Sequence, residues 1–178
     1  MKHEMRQTKK LTLSALMCAL TVVILLVASF LGDLDLTVLM LSSFCMVFVY
    51  LEIGTPYTYL TWCTSTLLTL LLLPGRYFWI LYFFLFSVYP ILKGALERLP
   101  RALWLVGKLA YFNAVLWLLI VLLEWILGFT LLDGETPFWN AVIYAVANVA
   151  FVAYDAFITV VVRLYLARYR ERFRRLLR

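Results

Sequence analysis

The chain has 178 residues, of which 65% are apolar, 17% aromatic and 15% charged, whereas a soluble domain is roughly 45–50% apolar and 25% charged. A chain this short leaves much of its folded surface exposed, so an ordinary water-soluble fold is excluded and lipid is the main solvent. The net charge of +6 does not indicate nucleic acid, because the basic residues fall in separate clusters between apolar runs instead of along one face.

A helix needs about 20 mostly apolar residues to cross a hydrocarbon core about 30 Å thick. Runs of this kind occupy residues 11–31, 36–51, 57–73, 77–92, 103–127 and 138–166. Gly54 and Pro56 mark a turn between the second and third. The expected fold is all-α: a polytopic membrane protein with six transmembrane helices, both termini cytoplasmic, forming one membrane domain over residues 1–178. With this orientation 15 of the 16 basic residues lie inside and only Arg76 outside; the Lys/Arg bias of short loops sets the direction. The first ten residues lead into an apolar run too long for a signal-peptide core, with no small-residue cleavage pattern after it, so this run stays as the first helix. Residues 167–178 form a basic cytoplasmic tail, part of an Arg- and aromatic-rich stretch from Tyr165 that reads as a helix continuation on anionic headgroups or as a docking helix for a partner.

In the first helix Thr12, Ala15 and Ala19 form one stripe of small residues, and Ser14, Cys18, Thr21 and Ala28 the next. Helices associate in lipid through close packing of small residues and hydrogen bonds between polar ones, so this face packs either on the chain's own helices or on those of a partner. The hydroxyls of the third helix, Thr58, Thr61, Thr64, Ser65, Thr66 and Thr69, can bond to backbone carbonyls and so are weak evidence for a polar cavity. In the fourth, Pro90 frees the carbonyl of Phe86 and kinks the helix; Lys93/Glu97 and Glu97/Arg101 are pairs four residues apart. In the last helix Ala141, Ala145, Asn148, Val152, Asp155 and Thr159 recur at helical period, which marks an interior stripe with Phe151, Ile158 and Val162 on other faces.

At ~1.5 Å per residue, Asp155 lies roughly 21 Å beyond Ala141, in the inner half of the bilayer, and Lys93 and Lys108 reach comparable depths. A lone buried carboxylate is expensive, so Asp155 pairs with Lys93 or Lys108, or serves a proton relay. Asn113 and Asn148 fall near mid-membrane and can bond across helices. Toward the outer surface, Glu124, Trp125, Trp139, Asn140 and Tyr144 read either as an aromatic belt or, with Asn148, as a pocket in which rings stack on a flat solute and Glu124, Asn140 and Asn148 orient it.

The sole histidine is His3, and no zinc-protease, nucleophile-elbow or phosphate-loop motif occurs. No catalytic residue, metal site or cofactor is expected, and the chain is not read as an enzyme. Cys18, Cys45 and Cys63 all lie in spans without metal-ligand spacing and are expected to pack as small residues.

The basic start leading into Lys10-Leu-Thr-Leu-Ser-Ala-Leu-Met-Cys-Ala-Leu, with Ala15 and Ala19 four apart and little mass outside the spans, resembles the six-span substrate-binding (S) components of bacterial energy-coupling factor transporters. The resemblance is mainly architectural and covers most of the chain. It implies a multi-pass protein of a bacterial cell membrane in which Ala15 and Ala19 dock on an energising membrane subunit served by separate ATPases. It also implies capture of a micronutrient, vitamin-like solute from outside, in a pocket closed by the loop between the first two helices; here that loop, Gly32 to Asp35, is short for a lid. The alternatives are a non-transporting membrane scaffold that uses the same faces to hold partners, or a small stand-alone proton-coupled carrier using Asp155.

Overall fold

The computed structural model describes residues 7–31, 35–74, 78–98, 100–128 and 137–170, and among these every regular element is helical. In chain order they are α1 (Gln7–Leu31), α2 (Asp35–Glu52), α3 (Thr55–Leu72), α4 (Phe78–Leu81), a π-helical turn (Tyr82–Phe86), α5 (Tyr89–Leu96), α6 (Arg101–Leu127), α7 (Pro137–Leu164) and a second π-helical turn (Tyr165–Tyr169). Four stretches are long and apolar enough to cross a membrane: Gln7–Phe30, Trp79–Leu96, Leu103–Ile126 and Phe138–Tyr169; Leu36–Glu52 is a shorter apolar helix. This is the build of a multi-pass membrane protein. Helix α3 is as long as α2, with 18 residues, but its hydroxyl-bearing residues dilute its apolar character. Tyr77 and residues 171–178 of the expected tail lie outside the described residues.

Helix α2 is central, touching α1, α3, α4, α5, α7 and the first π-turn. Its approach to α1 and α3 depends on small and hydroxylated residues. On α1, Ser14, Cys18, Thr21, Leu25 and Ala28 are buried; on α3, Thr58, Thr61, Ser65 and Thr69 are buried in turn. These hydroxyls need no polar cavity. Those of Ser14, Thr21, Thr58, Thr61 and Thr69 donate at 2.7–3.0 Å to the carbonyl four residues earlier. The turn from α2 to α3 depends on Gly54, whose φ of 112° lies where a Cβ is disfavoured, while Pro56 occupies the first turn of α3, where no intrahelical N–H is needed.

The stretch from α4 to α5 is broken more deeply than Pro90 alone predicts. Pro90 starts α5, but the ladder has already widened over Tyr82–Phe86, where the Ser87 N–H donates to the Tyr82 carbonyl at 3.0 Å, five residues back. Backbone groups in lipid must find partners inside the protein, and neighbouring helices supply them. The indole Nε1 of Trp62 on α3 donates to the Phe83 carbonyl at 3.2 Å, and the Tyr111 hydroxyl on α6 donates to the Phe84 carbonyl at 2.5 Å. The Ser87 hydroxyl donates to the Tyr82 and Phe83 carbonyls, and the Ser65 and Tyr82 hydroxyls share a bond of 2.9 Å. The break is thus held from both sides.

The principal core gathers Leu25, Leu39, Met46, Tyr82, Phe86, Tyr89, Phe112, Phe151, Tyr154 and Ile158. This corrects the expected orientation of α7. Phe151, Tyr154 and Ile158 face inward, Ala141, Ala145 and Val152 are exposed, and Asn148, Asp155 and Thr159 lie half-buried at the border. Lipid accepts Ala and Val as readily as protein does, so a stripe of small residues has no obligatory inner side. The aromatic rings, by contrast, fill the space left by the broken stretch: Phe151 stacks on Phe112 with ring centres 4.3 Å apart and meets Tyr89 edge-on at 4.9 Å.

Candidate functional site

The most concentrated polar chemistry lies where α5, α6 and α7 meet. Tyr89, Lys93 and Glu97 follow at four-residue spacing on and just past α5, which places them on one face. Lys108 comes from α6, and Asp155 and Thr159 from α7. The sequence leaves open which lysine meets Asp155, and both do. Lys93 forms an ion pair with the Asp155 carboxylate and donates to the Asp155 carbonyl at 3.0 Å and the Thr159 hydroxyl at 2.7 Å. Lys108 spans the same carboxylate at 3.0 and 3.1 Å. The Tyr89 hydroxyl donates to Asp155 Oδ1 at 2.5 Å, and the Thr159 hydroxyl to the Asp155 carbonyl at 2.8 Å.

Glu97 completes the group with ion pairs of 3.1 Å to Lys93 and 2.8 Å to Lys108, while the Lys108 ammonium lies 4.2 Å from the centre of the Trp104 ring. Two cations and two carboxylates therefore balance, although Lys93 is only 5% and Lys108 only 2% exposed. Burying charge is tolerable on these terms: opposite charges in contact, with remaining donors and acceptors occupied. At the edge of the group, burial pushes the Glu97 carboxyl up, but hydrogen bonds from Lys108 and Lys93 outweigh that and hold it below the usual carboxylate range, so it stays ionised at neutral pH.

About two helical turns along α7 from Asp155 lies a second polar layer. Asn113 and Asn148 exchange amide bonds of 3.0 and 3.2 Å, and each also donates to the carbonyl four residues earlier, that of Leu109 or Tyr144, at 2.8 or 2.9 Å. Both donors of each amide are thereby engaged within the bundle. The hollow beside Asn148 is otherwise lined by Val149, Val152, Ala153 and Ala156 and is wide and apolar. Glu124, Trp125, Trp139, Asn140 and Tyr144 do not line it. Glu124, Trp125 and Trp139 are exposed, and Asn140 and Tyr144 are half-buried.

The two stripes of α1 have separate fates. Ser14, Cys18, Thr21 and Ala28 are used in the chain's own packing, whereas Thr12, Ala15 and Ala19 stay exposed beside Leu16 and Leu20. At the far end of α2, Glu52, its side chain 2% exposed, accepts a 3.2 Å bond from Arg170 Nε. Sequence reading missed this pair and the role of Tyr89. The four-residue spacing of Tyr89, Lys93 and Glu97 was a usable signal for the latter, and a lone Glu ending an apolar helix for the former. Among the described residues no group of three or more His, Cys, Asp or Glu is gathered to hold a metal ion. Comparison with protein-family models, characterised proteins and solved structures finds no match.

Proposed function

We propose that the chain is a membrane-embedded solute-binding subunit for uptake of a micronutrient, vitamin-like small molecule, energised by a separate membrane subunit and ATPases. The observation that carries this reading is the division of α1. One small-residue stripe is consumed internally, and the adjacent one, with Ala15 and Ala19, remains exposed at a spacing that admits another helix at close range. The reading includes six crossings, α4, its π-turn and α5 together forming the fourth, with both termini in the cytoplasm of a bacterial cell. The basic residues support that direction: Lys9, Lys10, Arg98, Arg163, Arg168 and Arg170 all fall near helix ends assigned to the inner side. A reporter protein fused after Arg178 is expected to be active only in the form that works inside the cell; activity of an exported-only reporter at that position rejects the orientation.

Affinity purification in mild detergent should recover an energising membrane protein with its ATPases, and Ala15→Leu with Ala19→Leu should abolish that recovery while leaving thermal unfolding within about 0.5 kcal/mol, as for exposed substitutions away from structural contacts. Retained partners in the double variant would show that docking lies elsewhere. Solute capture is tested by mass spectrometry of small molecules released on heating the purified protein. Glu124→Ala should reduce that recovery without changing the fold, because Glu124 is exposed at the end of α6.

A second reading, a scaffold that binds partners and no solute, is favoured by one specific observation: Asn113 and Asn148 use both their amide donors within the bundle. Partner recovery sensitive to Ala15→Leu and Ala19→Leu, with no small molecule released, selects the scaffold.

A further inference from the structure

We propose that the groove between α2 and the end of α7 is a binding site for one anionic phospholipid, holding an acyl chain between the helices and its phosphate at Arg170. The walls are almost entirely apolar: Phe44, Val47, Phe48 and Leu51 from α2, and Val161, Val162 and Tyr165 from α7 and its π-helical extension. Their span along α2, from Phe44 to Leu51, is roughly 10 Å at the helical rise. The groove holds about 180 Å³. A hydrocarbon chain suits these apolar walls, and the charge at the groove's end argues for a lipid that carries one.

The charge at one end of the groove selects the headgroup. Leu51, the last wall residue of α2, is followed by Glu52, which is bonded to Arg170, five residues beyond Tyr165. One nitrogen of the Arg170 guanidinium is engaged there, and the fork carries further N–H donors suited to a phosphate. The Arg170 side chain is 37% exposed, and Arg163 and Arg168, exposed on the same helical stretch, leave this end positively charged after the single negative charge of Glu52 is counted. The π-helical turn shapes the site, since its widened ladder brings the Arg170 backbone N–H to the Tyr165 carbonyl, five residues back. The inference needs the chain to lie in a bilayer but does not depend on solute capture.

The test is native mass spectrometry of the full-length protein in mild detergent, titrated with phosphatidylglycerol or phosphatidylcholine carrying identical acyl chains. One phosphatidylglycerol should be retained in preference to phosphatidylcholine. Arg170→Gln should cut that preference about fivefold, the effect of one basic group at an anionic surface. Val161→Trp, which fills the groove and leaves every arginine in place, should lower retention of phosphatidylglycerol by at least the same factor. Equal retention of the two lipids by the unaltered protein overturns the proposal, whether or not either variant folds. Undiminished retention of phosphatidylglycerol by folded Val161→Trp overturns it as well, since surface arginines alone would then be responsible. A dimer of the unaltered protein that Val161→Trp converts to monomer assigns the groove to a second copy of the chain and likewise rejects the lipid.

Discussion

Asp155→Asn is expected to be the most damaging single substitution in the chain. Asp155 is the more buried of the two carboxylates that Lys93 and Lys108 share; without it, two buried ammonium groups face only Glu97, whose side chain is 42% exposed. Removing one partner of a buried ion pair costs about 3–5 kcal/mol, mostly from the charge left uncompensated. The asparagine retains the side-chain shape and can still accept a hydrogen bond, so the loss reports charge and not volume. Reversible unfolding in detergent micelles or nanodiscs measures it. A second substitution checks the cause: Lys93→Met added to Asp155→Asn restores neutrality between Lys108 and Glu97 and should recover part of the loss, a coupling that a double-mutant cycle isolates. If Asp155→Asn unfolds like the unaltered protein, the charged group does not tie α5 to α7.

Phe151→Ala should follow, and it should separate sharply from Phe157→Ala on the same helix. Phe151 is 4% exposed between Phe112 and Tyr89, whereas Phe157 is 53% exposed and meets Phe44 edge-on at 5.6 Å. Truncating a buried phenylalanine costs about 3–5 kcal/mol in soluble cores through lost transfer energy and an unfilled cavity. Here the loss should fall toward the lower end of that range, because lipid tails are as apolar as the core and the transfer term shrinks while the packing term remains. Phe157→Ala forfeits one ring contact, about 0.5–1.5 kcal/mol. Unfolding of the two variants in the same detergent gives the difference directly, and equal losses would mean that Phe151 does not anchor α7 to the broken stretch.

The positions of the helices were legible to within a few residues, because crossing lipid is a constraint on each segment separately: length and apolar content are local properties, and 103–127 was expected where Arg101–Leu127 forms. The hydroxyls of α3 were legible for the same reason, since most bond within their own helix. Relative level was legible too, because a fixed rise per residue placed Asp155, Lys93 and Lys108 level with one another, and they meet. That narrowed the partners of Asp155 to two lysines without a structure.

Which side of a helix faces inward was not legible on α7. In water, exposure penalises an apolar residue and the pattern reveals the core; in lipid, Val152 and Ala145 are as content outside as in, so the stripe they share with Asp155 carries no inside mark. Packing of large rings decided the matter, and it turned Phe151, Tyr154 and Ile158 to the centre. The candidate site divided in the same way. Glu124 and Asn148 were both readable as outward-facing ligand groups, but Asn148 lies with Asn113 and Glu124 lies exposed at the end of α6, and only the placement of α6 against α7 separates them.

The sequence by itself determined an all-helical membrane chain, the approximate course of its apolar helices and the common level of its few internal charges, because hydropathy and helical rise act along one dimension. The tertiary structure decided how those charges share partners, how Trp62 and Tyr111 cap the open turn between α4 and α5, and which small-residue stripe of α1 remains available. Each of these joins groups from different helices, and their satisfaction is a property of the assembled bundle, not of any one segment.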